Sequence, residues 1–339
     1  MENLKKNIII IGGGPGGMEA ASCLNTIGYT VFLVEKGPVL GGHLAKWDRL
    51  FPEGNEAAPL IEKMRSRMEG VKWFVNTEVL SVNRLGSKYT VILSNGLTIN
   101  ADALLIATGF SLFPAEKKEE YGYGIYDRVI TSADLERMFR EGMPEGLVPK
   151  KIGFVHCVGS RDEKAGNRYC SKVCCATSVK QACEIKAMFP DADVFCFYMD
   201  LRMFGRGYED MYLEAQKDYG VFFVRGRVSE VAEKKDGRLL VKAEDTLAGK
   251  PLRITLDLLV LLSGMVRNTS ASAITKMLSL SVREDGFFKT SDMIYNDQRS
   301  AQDGIFYAGA CTGPKTLPET LADARAAALE ADFYLRQDD

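Results

Sequence analysis

The sequence predicts an α/β protein with two dinucleotide-binding domains, the second Rossmann-like domain being inserted in the first. Three observations predict this. A strand, a glycine turn, a helix and a second strand open the chain between Asn7 and Glu35, the span a parallel β-α-β unit needs. A second strand start follows at Lys151, and both halves finish on an apolar strand ending in a small residue and glycine: Ala107-Thr108-Gly109 and Leu262-Ser263-Gly264. The length of 339 residues suits about two domains at roughly 150 residues each.

Each element follows from its local pattern. Asn7-Ile8-Ile9-Ile10-Ile11 reads as a buried parallel strand, Met18 to Leu24 as a helix, and Tyr29 to Glu35 as the next strand. From Trp73 the pattern alternates with period two, and Ser94-Asn95-Gly96 between Val91-Ile92-Leu93 and Leu97-Thr98-Ile99 signals a hairpin. Ala103 to Ala107 is a further buried run. Residues 114–150, rich in charge, Gly and Pro, read as a connection with one amphipathic helix over Ala133 to Glu141. Lys151 to Val155 opens the second half, whose strands and helices run to Asp257 to Leu262; Gly304 to Ala310 and a helix over Ala322 to Leu335 close the chain. The expected division is 1–125 with 268–339 for the first dinucleotide-binding domain, and 150–267 for the inserted, degenerate one.

Composition narrows the function. With 46% hydrophobic and 26% charged residues the chain folds, and 43 Lys and Arg against 45 Asp and Glu leave no basic excess for nucleic acid. No run approaches the ~18 apolar residues of a membrane helix, and Met1 to Lys6 lead directly into a strand, so a cytoplasmic protein without direct membrane insertion is expected. Eight cysteines in a reducing compartment point to metal or redox work rather than disulfides.

Gly12, Gly14 and Gly17 form G-x-G-x-x-G between strand and helix, with Pro15 at the helix start. That pattern places a pyrophosphate at a helix N-terminus, and Glu35, followed by Lys36, ends the second strand where a carboxylate accepts hydrogen bonds from a ribose. Gly41-Gly42-His43-Leu44, Ala107-Thr108-Gly109 and Asp303 to Gly309 then resemble the successive signatures of glutathione/thioredoxin reductase-like flavoproteins. The resemblance implies FAD. It adds Gly42, His43, Ala107, Thr108, Gly109, Gly309, Ala310, Lys315, Thr316 and Leu317 to the cofactor-binding set. Lys315, in Gly313-Pro314-Lys315, is the candidate catalytic residue, a cation beside the isoalloxazine that would raise the flavin potential.

Cys157, Cys170, Cys174 and Cys175 lie within nineteen residues at a strand end and a helix start. Soft thiolates select zinc or iron–sulfur clusters; a redox thiol pair or plain buried cysteines are the other readings. The adjacent Cys174 and Cys175 depart from the C-x-x-C knuckle of structural zinc. No glycine fingerprint follows Ile152 to Val155, so a nicotinamide site there is doubtful. Cys23, Cys183 and Cys196 read as small core residues, and Cys311 as structural.

The motifs Cys157-Val158-Gly159-Ser160-Arg161, Cys170-Ser171-Lys172-Val173-Cys174-Cys175, Phe197-Tyr198-Met199-Asp200 and Phe204 to Glu209 closely resemble the A subunit of heterodisulfide reductases. The resemblance implies a [4Fe-4S] cluster on the four cysteines, partner subunits carrying further clusters, and a homodimer. The chain is short for the methanogen-type protein, and it shows no ferredoxin-like C-x-x-C-x-x-C run. It looks most like the compact form of heterodisulfide reductase-like complexes of sulfur metabolism. The alternatives are the A subunit of quinone-interacting membrane-bound oxidoreductases, a free-standing NAD(P)H-dependent disulfide or quinone reductase, and a non-catalytic flavoprotein scaffold.

Overall fold

β1 (Asn7–Ile11) is a strand because four consecutive isoleucines suit a position buried on both faces. The computed structural model describes residues 6–337, so Met1 to Lys5, read above as carrying no targeting signal, lie outside the described residues. After α1 (Pro15–Ile27) come β2 (Thr30–Val34), β3 (Lys72–Phe74) and β4 (Ala103–Ile106). With the late strand Ile305–Tyr307 they form one parallel sheet in the order Ile305–Tyr307, β4, β1, β2, β3. A three-stranded antiparallel meander, Val79–Leu85, Lys88–Leu93 and Thr98–Ala101, contains the expected hairpin.

The second unit repeats this plan. β5 (Val129–Thr131), α2 (Ser132–Glu141), β6 (Lys151–Val158), α3 (Cys174–Met188), β7 (Asp193–Tyr198), β8 (Phe222–Arg225) and β9 (Leu258–Ser263) follow along the chain. Its parallel sheet runs β5, β9, β6, β7, β8, and Val228–Glu233, Leu239–Asp245 and Lys250–Leu256 form a second antiparallel meander. Each unit thus combines a five-stranded parallel sheet with a three-stranded antiparallel one.

Two boundaries and two elements differ from expectation. The first unit comprises the residues up to Ala45, Ala57–Ser111 and those from Val266; the second comprises Lys46–Glu56 and Leu112–Met265. Residues 112–125, expected in the first domain, belong to the second because they bind it: Phe113 N–H donates to Gly264 O (2.8 Å) and Lys118 pairs with Asp162 (2.8 Å). The terminal helix spans Leu317–Arg336 and starts five residues before the expected Ala322. A capping box explains this, with Thr316 Oγ1 accepting from Glu319 N and Glu319 Oε2 accepting from Thr316 N. In the second half no helix follows β6 directly; residues 159–173 are irregular and α3 begins only at Cys174.

Residues 46–56 join the second unit through a buried ion network. Glu136 on α2 bonds Lys180 and Gln181 on α3 and accepts from Asp48 N (2.9 Å), while Lys180 Nζ donates to Arg49 O (3.0 Å). Lys180 also pairs with Glu184 at 3.4 Å, but the Glu184 carboxylate has no hydrogen-bond donor. Burial, with Glu136 nearby, pushes the Glu184 carboxyl up to about 7, against the pull of Lys180. The native state therefore takes up this proton before the unfolded chain does as pH falls, so this carboxyl weakens stability as pH rises from about 4.5 to about 7. Glu184→Gln removes that slope, and urea denaturation at pH 5 and pH 8 will show the wild-type loss, about 1–3 kcal/mol, flattened in the variant.

Candidate functional site

The first unit gathers its sequence-flagged residues around the turn after β1. Gly12 has φ +115°, and a Cβ there would lie 2.3 Å from Ala107 O; a Cβ on Gly17 would lie 1.9 Å from Gly12 O. Only glycine permits this approach of strand end, helix and β4. At Gly14 a Cβ would meet nothing within 4 Å, so the middle glycine faces open space. Gly14 also caps α1 without a side-chain partner, Pro15 supplies the first turn, and no acidic residue occupies that turn. The helix amides are left to face an anion.

Other residues converge there. Glu35 accepts from Gly13 N through Oε2 and from Gly37 N through Oε1, each at 2.6 Å, and a Cβ on Gly42 would touch Gly14 Cα at 3.1 Å. Gly16 comes close to Gly309, where its Cβ would be 3.5 Å from Gly309 Cα. The hydroxyl of Thr108 is buried without a hydrogen-bond partner, while Asn268 Nδ2 donates to Thr108 O at 2.6 Å; Gly109 is left-handed at φ +63°. An open glycine, uncapped helix amides and an orphaned hydroxyl beside them fit a dinucleotide cofactor.

Four flagged residues are held differently. Lys36 Nζ donates to Ser270 Oγ (2.6 Å), and His43 stacks on Phe110 with ring centroids 4.3 Å apart. Lys315 Nζ is engaged by Asp323 Oδ2 (2.7 Å), Thr312 Oγ1 (2.9 Å) and Gly309 O (3.1 Å), and Asp323 Oδ2 also accepts from Gly309 N (2.6 Å). That network fixes the Gly309–Thr312 turn, which includes Ala310, ahead of Thr316 and Leu317 at the terminal helix start. Cys311 is buried, its thiol donating to Ile106 O (3.3 Å) or Ala308 O (3.4 Å), and burial pushes it up to about 12, so it stays protonated. Asp323 is the residue sequence reasoning missed; an acid seven residues into a helix carries no local signal.

The second unit holds thiols at the corresponding turn. Cys157, Cys174 and Cys175 are buried, and the Cys157 and Cys174 sulfurs lie 3.8 Å apart. The Cys174 thiol is held well above the usual range, while hydrogen bonding with Cys174, with His156 adding to it, lowers Cys157 and Cys175 despite burial. Cys175 Sγ also receives Arg202 N at 3.5 Å, and half-buried Cys170 receives Lys172 N at 3.3 Å. Arg161 neighbours Cys157 and Cys170, pairs with Asp200 at 2.8 Å, and keeps Nη1 buried without an acceptor.

The backbone is strained here as well. Cys157, Arg161 and Lys172 have positive φ of 59°, 52° and 62°, three of five such non-glycine residues among the described ones. Among the described residues no three His, Cys, Asp or Glu side chains close on one point as a metal cage. What fits a thiolate-held group is the donor chemistry: soft sulfurs, amide donors aimed at two of them, and an orphaned guanidinium nitrogen beside them. A Cβ on Gly159 would lie 2.0 Å from the Phe113 ring, whereas one on Gly14 would meet nothing within 4 Å.

A family model for pyridine nucleotide-disulphide oxidoreductases matches residues 3–152. The iron–sulfur A subunit, form 2, of the CoB–CoM heterodisulfide reductase of Methanopyrus kandleri is 33% identical over 98% of this chain and 65% of its own length. The A subunit of the H2/formate:CoB-CoM heterodisulfide,ferredoxin reductase of Methanococcus maripaludis is 43% identical over 71% of this chain and 38% of its own length. Over most of its own length the chain is similar to heterodisulfide reductase A subunits. It spans 65% of the length of the first of these relatives.

Its fold is that of flavoprotein reductases. Thioredoxin reductase of Lactococcus lactis superposes with a TM-score of 0.69 at 20% identity, covering 98% of this chain and all of that one. The flavoprotein disulfide reductase RclA of Escherichia coli gives 0.61 at 18% identity, covering 96% of this chain and 70% of that one. Among the described residues no helix is long and apolar enough to cross a membrane. Because Gly14 faces open space, Gly14→Val will fold but copurify with at least tenfold less flavin; absorbance of the released cofactor measures it.

Proposed function

We propose that this chain is an FAD and iron–sulfur electron-transfer subunit of a heterodisulfide reductase-like complex in sulfur metabolism. The observation that carries the reading is the contrast between the two turns: an open, glycine-lined cradle in the first unit, and four thiols with an orphaned Arg161 nitrogen in the second. Gly12, Gly14, Pro15 and Gly17 would hold the FAD pyrophosphate, and Glu35 the ribose. Gly42, Ala107, Thr108, Gly109, Gly309 and Ala310 would line the rest of the cofactor, with Lys36 and His43 at its margin and Thr316 and Leu317 at the terminal helix start. Cys157, Cys170, Cys174 and Cys175 would hold a [4Fe-4S] cluster. Bound together, the flavin supplies paired-electron chemistry and the cluster single-electron exchange.

The chain's own residues prepare both sites. Lys315 and Asp323 brace the Gly309 turn against α1, which makes Lys315 a positioning residue and, where the flavin ring lies beside that turn, the cation that favours its reduced form. In the second unit Arg161 favours the thiolate at Cys157 and the Arg202 amide that at Cys175. The lack of a glycine fingerprint and of a helix directly after β6 disfavours the free-standing NAD(P)H-dependent reading. The relatives named as subunits of larger reductases support partner subunits bearing further clusters, and a homodimer is part of the same reading.

Anaerobic purification with iron, acid-labile sulfide and flavin assays tests the proposal. Wild-type protein will contain all three, and Cys174→Ala will lose iron and sulfide while keeping flavin. Zinc in place of iron, or rapid flavin reduction by NADH without partners, would overturn it.

A further inference from the structure

A cavity of about 460 Å³, lined wholly by residues of the second unit, opens where β6, β7 and β8 end. These three strands are parallel neighbours, so their carboxyl ends share one sheet edge, the edge at which open α/β sheets bind ligands. His156 and Cys157 line it near the end of β6, Phe197 near the end of β7, and Gly226 just after β8. Of the four flagged cysteines only Cys157 borders it, so this space is separate from one that all four thiols would share. Its volume suits a small molecule. Val155, Phe197 and Val228, all buried, give it an apolar wall.

The charges around the cavity do not cancel. Lys118 takes both Glu120 (2.7 Å) and Asp162 (2.8 Å), and Glu163 pairs with Arg168, so each carboxylate on the wall is matched to a cation. Lys164 and Arg227 also line the cavity, and among the described residues neither has a carboxylate within ion-pair distance. The Arg227 guanidinium is nevertheless held in place, with Nη2 donating to Arg161 O (3.0 Å) and Nε to Met199 Sδ (2.8 Å). Two further wall residues, Ser160 and His156, are more than nine-tenths buried, and neither the hydroxyl nor either ring nitrogen has a hydrogen-bond partner. Burying such groups unpaired is costly, and a ligand bearing oxygens offsets that cost where an apolar one does not.

We propose that this cavity binds a small organic oxyanion, a sulfonate or phosphate with an apolar body. Its charged head lies against Arg227 and Lys164, and its body packs on Val155, Phe197 and Val228. A fixed guanidinium without a carboxylate is the side chain best suited to such a head group. A dinucleotide is not the ligand, because no glycine fingerprint follows β6 and no helix starts there to receive a pyrophosphate. The site requires nothing of the four cysteines, so it stands independently of the iron–sulfur reading.

Calorimetric titration of the protein as purified, with benzenesulfonate, phenyl phosphate and the uncharged benzyl alcohol, tests this. At least one of the two anions will bind about tenfold tighter than the alcohol, and their order tells which head group the site prefers. Arg227→Ala will weaken that anion about tenfold and Lys164→Ala by less, with the urea midpoint unchanged in both exposed-site variants. Arg238→Ala, which removes a guanidinium paired with Asp236 (2.7 Å) outside the cavity, will leave binding as it was. Anions that bind no tighter than the alcohol, or that keep full affinity in the Arg227→Ala, Lys164→Ala double variant, overturn the proposal. NADH binding tighter than either anion, with the same dependence on Arg227, overturns it too. Protein without iron that still binds the anion would instead sink the iron–sulfur reading and leave this site standing.

Discussion

Backbone approach at the end of a first parallel strand is the constraint on which the rest of this protein depends. In the first unit β1, α1 and β4 meet so closely that a single added carbon at Gly12 or Gly17 would fall inside a neighbouring carbonyl. That crowding leaves the α1 amides uncapped and the middle glycine facing open space, which together form an anion site out of main chain alone. Residues from distant parts of the sequence, Glu35, Thr108 and Gly309, reach the site because the parallel sheet places the ends of β2 and β4 beside β1 and that of the Ile305–Tyr307 strand beside β4.

The second unit inherits the sheet but not the turn. β6 runs three residues past its expected end at Val155, and the helix that would aim its amides at a phosphate begins only after the irregular residues 159–173. Thiols and positive-φ residues occupy that interval, and the Phe113 ring packs against Gly159. Electrostatics follow from the exchange of one turn for the other. Where the first unit offers backbone amides to an anion, the second offers amides and Arg161 to sulfur, and hydrogen bonding with Cys174 lowers the thiols of Cys157 and Cys175 against their burial.

Much of this was legible because it is local. The isoleucine run of β1, the hairpin at Ser94-Asn95-Gly96 and the spacing of Gly12, Gly14 and Gly17 are each readable within a dozen residues, and the structure forms them as read. The capping box at Thr316 was equally local and went unread, which placed the terminal helix five residues late. The unit boundary was not local. Residues 112–125 follow β4 without any break in composition, and they join the second unit through Phe113 and Lys118, whose partners Gly264 and Asp162 lie far along the chain.

The sequence by itself determined the fold class, the glycine cradle and the clustering of thiols at one turn, because strand period, glycine sterics and thiol spacing are properties of neighbouring residues. Tertiary structure alone decided which side chains complete those sites. Asp323 bracing Lys315, Phe113 packing against Gly159 and Lys180 tying residues 46–56 to α2 all depend on the folded chain bringing these side chains together. No periodicity encodes such contacts; they exist only once the sheets have formed and the buried polar groups must find partners there.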